Sequence, residues 1–92
     1  MKDPKTVGDG KDFTKSQKRK IYEANRKANG GYLVSDQDGR ILAVPKKNRR
    51  GVKPSPNEAQ VDHVKAKSKD GDNSYANAKV LSRKQNRAKS DS

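Results

Sequence analysis

The sequence predicts an α+β fold in one small domain: an N-terminal helix, a β-hairpin and a C-terminal strand–loop–strand–helix unit. Three observations carry this. Apolar residues recur at helical spacing between Thr14 and Asn29. Two short apolar runs flank Asp36-Gln37-Asp38-Gly39. Beyond Pro56 come an alternating stretch, a polar loop, a second apolar run and a Gly-free polar segment, in that order. At 92 residues a single domain is the default. Residues 1–11 are expected to be a flexible N-terminal segment and 12–92 the folded domain, with the C-terminal unit at about 58–90.

The helix is expected over 14–29. Thr14 followed by Gln17 is a capping-box pattern, in which the Thr hydroxyl accepts from a first-turn amide. Ile21, Ala24 and Ala28 fall on one face, with Tyr22 beside them. Asn29-Gly30-Gly31 then stops the helix, because glycine enters the left-handed region without penalty. The opposite face carries Lys15, Lys18, Arg19, Arg26 and Lys27, which reads first as a solvated face.

The hairpin pairs Tyr32-Leu33-Val34 with Ile41-Leu42-Ala43-Val44 around an Asp-Gly tip. Asp36 and Asp38 alternate as calcium-loop ligands do, but the later ligands and the closing Glu are missing. Pro45 to Pro56 is basic and aperiodic, so it reads as a loop. Its Arg49 and Arg50 could contact phosphate, form a localisation signal or simply solubilise the chain.

In the C-terminal unit, Gln60 to Val64 alternates as a strand does, putting Val61 and His63 on one side and Asp62 on the other. Lys65 to Tyr75 is a loop marked by Asp70-Gly71-Asp72-Asn73. Lys79-Val80-Leu81 is the return strand, and Arg83 to Lys89 a short helix.

Composition bounds the function. The net charge is +12, from 23 Lys and Arg against 11 Asp and Glu. That favours polyanions: nucleic acid first, an acidic protein second, an anionic membrane surface third. No sustained apolar run or basic amphipathic helix supports membrane insertion. Met1 to Gly10 has no hydrophobic h-region, so no signal peptide is expected. Leu, Ile, Val and Phe number 13 of 92 residues, a thin core for such a charge. With no cysteine, neither a disulfide nor a thiolate zinc site can staple it, and folding is expected to lean on a metal, DNA or a partner.

His63 is the only histidine. Asp62 precedes it, Asn77 follows 14 residues later, Asn86 nine after that, and Lys89 three further on. Singly each is unremarkable, since isolated Asn residues serve turns and caps. Together, in DHVKAKSKDGDNSYANAKVLSRKQNRAKS, they resemble the HNH (His-Me finger, ββα-metal) endonuclease motif. The resemblance extends over Gly10-Lys11-Asp12-Phe13-Thr14, Asn29-Gly30-Gly31 and Pro54-Ser55-Pro56-Asn57-Glu58-Ala59-Gln60 to the C-terminal nuclease domains of bacterial polymorphic toxins, of Rhs, contact-dependent and type VI secreted kinds.

The resemblance implies a ββα-metal finger. It makes His63 the general base, Asn77 the brace of its loop, and Asp62 with Asn86 the metal pair. Those residue types suit phosphodiester hydrolysis. A neutral imidazole can take a water's proton near pH 7, since its ordinary pKa is about 6.5. Two oxygen ligands completed by water and phosphate suit one Mg²⁺, or Mn²⁺, better than Zn²⁺ or Ni²⁺. Lys65, Lys67, Arg83, Lys84, Arg87 and Lys89, with Arg49 and Arg50, are expected to hold the DNA backbone without reading sequence.

The resemblance further implies a monomeric DNase carried in a larger toxin, delivered to a target-cell cytoplasm and neutralised by an acidic immunity protein. A stand-alone phage or restriction-type HNH enzyme, a basic nucleic-acid-binding protein without catalysis, and an RNase stay open. In one respect the chain departs from the pattern. Many relatives pin the hairpin to the finger with CxxC pairs around a structural zinc. Here Ser82 and Gln85 stand where one pair would be, so no structural zinc is expected.

Overall fold

The computed structural model describes residues 2–45 and 55–90. They form a small α+β domain of two helices and one two-stranded antiparallel sheet: α1 (Lys15–Ala28), β1 (Ala59–His63), β2 (Ala78–Ser82) and α2 (Arg83–Ser90). Single 3-10 turns at Lys67–Lys69 and Tyr75–Asn77 lie in the loop between the strands.

Helix α1 begins as its sequence dictates. The Thr14 hydroxyl accepts from the Gln17 amide at 3.1 Å, and the Gln17 side chain accepts from the Thr14 amide at 2.9 Å. Its buried stripe differs from the expected one. Gln17, Ile21 and Asn25 face inward, whereas Ala24 and Ala28 are exposed. The two polar residues earn burial by satisfying backbone elsewhere. Gln17 donates to the Asn73 carbonyl at 2.6 Å, and Asn25 both accepts from the Val34 amide and donates to its carbonyl.

Asn25 also accounts for the form of the hairpin. The two apolar runs meet in one bridge, Val34 to Ile41, rather than a ladder. The other edge of Val34 is taken by the Asn25 amide, and Ala43 pairs with the chain at Asn57 and Ala59 instead. Leu33 and Leu42 turn into the core; Tyr32, Ile41 and Val44 stay exposed. Gly39 takes a φ of 77°, as the tip requires.

Strands β1 and β2 pair from Ala59–Ser82 to His63–Ala78. Phe13, Ile21, Leu33, Leu42, Ala59 and Val80 form the core, with Tyr22, Val61, Tyr75 and Ala78 packed on it. The segment 1–11, expected to be loose, is bonded across residues 3–11 to the inter-strand loop. Gly8 donates to Asn73 Oδ1, Gly10 to the Gly71 carbonyl, and the Tyr75 amide to Asp3. Among the described residues, no helix is long and apolar enough to cross a membrane.

Hydrogen bonds join the hairpin to β2 and α2. Ser82 and Gln85 make a second reciprocal cap at the start of α2, at 3.0 and 2.9 Å. Gln85 Oε1 also accepts from the Ser35 hydroxyl at 2.7 Å. Asp36 holds both backbone groups of Val80, accepting from its amide at 2.6 Å and donating its own amide to its carbonyl at 2.8 Å.

Candidate functional site

Alternation along β1 sorts the site into two faces. Ala59, Val61 and His63 lie toward the core; Gln60 and Asp62 lie toward α2. On α2, Asn86 and Lys89 are three apart and therefore share a face. Asn86 Nδ2 donates to Gln60 Oε1 at 2.7 Å, and Lys89 Nζ lies 2.9 Å from Asp62 Oδ2. Asp62 and Asn86 thus line one seam between β1 and α2.

His63 points the other way. Its ring is buried, 4.5 Å from the Phe13 ring, and its Nε2 is 2.8 Å from the Lys11 carbonyl. A carbonyl can only accept, so Nε2 carries the proton. In the neutral imidazole Nδ1 then holds the lone pair. Two carboxylates stand within electrostatic reach. Asp12 is held below the usual range by the hydrogen bond and the charge of its Lys67 partner. Asp72 is held low by the Ser74 hydroxyl and amide first, then by His63 and Lys65.

Asn77 clamps the chain just after His63. Its Oδ1 accepts from the Lys65 amide at 2.7 Å, and its Nδ2 donates to the carbonyls of Lys65 at 3.2 Å and Asp72 at 2.8 Å. Its own carbonyl accepts from the Val64 amide at 2.8 Å.

Asp62 sits among cations. Lys79 is its cross-strand partner, and Lys89 reaches it from α2. Burial lowers the Lys79 pKa, and the neighbouring Lys89 ammonium lowers it further. The close bond of Lys89 Nζ runs to the His63 carbonyl at 2.6 Å. Asp62 Oδ2 is therefore attracted by charge while accepting no well-directed hydrogen bond among the described residues, although it is buried. A buried carboxylate oxygen with an unused lone pair, on the same seam as an Asn whose amide nitrogen is engaged by Gln60, could take a hard divalent cation completed by water and phosphate. Among the described residues no three His, Cys, Asp or Glu side chains gather as an ion cage, so such a site would rest on these two side chains.

Six of the expected DNA-contacting residues lie among the described ones. Lys65, Lys84 and Arg87 are exposed and Arg83 is partly buried. Lys67 is paired with Asp12, and Lys89 with Asp62. Arg49 and Arg50 lie outside the described residues. A groove of about 380 Å³ also runs along the basic face of α1, between Lys15, Lys18, Arg19 and Arg26. Sequence reasoning missed Gln60, Lys79, Phe13 and the Lys11 carbonyl. Gln60 was readable, being two residues from Asp62 on an alternating strand.

Comparison with family models, with curated proteins and with solved structures gives no match.

Proposed function

We propose that the chain is a metal-dependent endonuclease of the HNH kind, hydrolysing DNA phosphodiester bonds with little sequence specificity. The observation that carries this reading is the seam that places Asp62 and Asn86 on facing elements, one residue away from a histidine with a defined tautomer. In this reading β1, β2 and α2 are the ββα-metal finger. Asp62 and Asn86 hold one divalent ion, Mg²⁺ or Mn²⁺. When bound, the ion stabilises charge on the phosphate and the leaving 3′ oxygen.

The remaining steps belong to the chain itself. His63 takes the proton of the attacking water at Nδ1, and the Lys11 carbonyl keeps the Nε2 proton in place and stabilises the imidazolium. Asn77 keeps Val64 and Lys65 in the conformation that aims the imidazole. Lys65, Arg83, Lys84 and Arg87 neutralise the phosphate backbone, to which a net charge of +12 is suited. We further propose that the domain is the toxic portion of a larger interbacterial effector, acting in the target-cell cytoplasm as a monomer. Its basic surface favours an acidic immunity protein.

A second reading is a basic nucleic-acid-binding protein without catalysis. It is favoured by the burial of His63 and by the ammonium at Asp62. Digestion of supercoiled plasmid separates the two. The nuclease reading expects nicking and linearisation with Mg²⁺ or Mn²⁺ and none with EDTA. A chain that shifts plasmid mobility but never cuts it, with any of these ions, is the binding protein.

A further inference from the structure

We propose that the Lys89 ammonium is an internal competitor for the cation position at Asp62, so that a divalent ion enters by displacing it. The inference rests on the metal-dependent reading and adds what occupies the position before the ion arrives.

The ammonium sits among three oxygens of the same short stretch. Its Nζ is 2.6 Å from the His63 carbonyl, 2.9 Å from Asp62 Oδ2 and 3.5 Å from the Val64 carbonyl. One carboxylate and two carbonyls are the donor set that hard cations take, and a lysine ammonium is a compact cation that the chain can supply from within. The side chain leaves from the last turn of α2, and 32% of it is exposed against 19% for Asp62. It therefore stands at the mouth of the seam and can withdraw into water without disturbing the core.

Electrostatics makes the two occupants exclusive. Lys79 already faces Asp62 across the strands. A divalent ion beside the same carboxylate would meet two ammonium groups at short range, where like charges repel strongly. Lys89 is the one whose ammonium stands 2.9 Å from Asp62 Oδ2, so it is the one that an ion at that oxygen must displace. Asp62 Oδ2 keeps an undirected lone pair even with Lys89 in place, so the ion gains a ligand that the ammonium does not fully use.

The test is calorimetric titration of Mn²⁺ and Mg²⁺ into the full chain, comparing wild type, Lys89→Met, Asp62→Asn and the double variant, each first shown to melt cooperatively. Methionine keeps the aliphatic stem and removes the charge. Lys89→Met should bind Mn²⁺ about two- to fivefold tighter, the worth of a partly exposed ion pair. Asp62→Asn should lose binding with or without Lys89. A folded Lys89→Met that binds no tighter than a wild type that does bind overturns the competition and leaves the metal reading standing. A gain that survives in the double variant places the effect away from Asp62 and overturns it too. If neither wild type nor Lys89→Met binds either ion, the metal reading and this inference fall together. Binding by Lys89→Met alone supports the inference in its strongest form.

Discussion

The Ser35 hydroxyl donates to Gln85 Oε1 over 2.7 Å, joining the turn of the hairpin to the first turn of α2. The same oxygen accepts from the Ser82 amide, so one side chain caps the helix and ties down the hairpin. Gln85→Ala should cost about 1–3 kcal/mol, combining a lost cap with a buried hydroxyl left unpaired. Ser35→Ala should cost about 1–2 kcal/mol, because the bond to Gln85 and the bond from the Gln37 amide to the Ser35 hydroxyl are both lost. Urea melts of both variants check this. A Gln85→Ala chain as stable as wild type would mean that Asp36 and the core hold the hairpin unaided.

Asn77 offers a graded test of its clamp. Asn77→Ala removes bonds to both backbone groups of Lys65 and to the Asp72 carbonyl, with an expected loss of about 1–3 kcal/mol. Asn77→Asp keeps the acceptor for the Lys65 amide and loses both donors. It should fall between alanine and wild type in melting temperature and in cleavage rate. Full activity in the alanine variant would remove the brace from the account.

Tyr22 gives the structure an alkaline signature. Its hydroxyl donates to the Ala59 carbonyl at 3.3 Å, and burial first, then the charge of Glu58, pushes its pKa up from 10.0 to about 12. The folded state thus keeps the phenol proton over a range where the unfolded chain loses it. That contribution to stability is complete below pH 10 and is lost as the pH rises from 10 to 12. The difference in absorbance titration at 295 nm between wild type and Tyr22→Phe should have its midpoint near 12. A midpoint near 10 would place the hydroxyl in water.

Much of this fold was legible because its signals are local. Thr14 and Gln17 cap α1 three residues apart, and β1, β2 and α2 announce themselves by alternation, a short apolar run and a Gly-free segment. What escaped was long-range or polar. Residues 3–11 look loose because their partners, Gly71, Asn73 and Tyr75, lie more than sixty positions away. Gln17 and Asn25 look exposed because periodicity counts apolar residues, while their burial follows from the backbone groups they satisfy. The members of the candidate site were found by spacing. Their grouping was not: spacing does not say that Asp62 meets Lys89, or that His63 turns to Phe13 and the Lys11 carbonyl.

Electrostatic binding to DNA should show in its salt dependence. The logarithm of affinity should fall with log salt by about 0.9 per phosphate contacted. Lys84 and Arg87 are both exposed on α2. Replacing both by alanine should flatten the slope by about 2 units, with the same change on duplexes of unrelated sequence. A slope unchanged by the double substitution would move the DNA path elsewhere, with the basic groove along α1 the next surface to test.

The central claim is that His63 is a base and not a ligand. Single-turnover cleavage of plasmid DNA by His63→Ala in Mg²⁺ tests it most directly, with Mn²⁺ affinity and thermal melting measured on the same preparation. The rate should fall by about 10²–10⁴-fold, the usual contribution of a positioned general base, while ion affinity stays near that of wild type. A folded His63→Ala chain that cuts DNA at close to the wild-type rate would contradict the account.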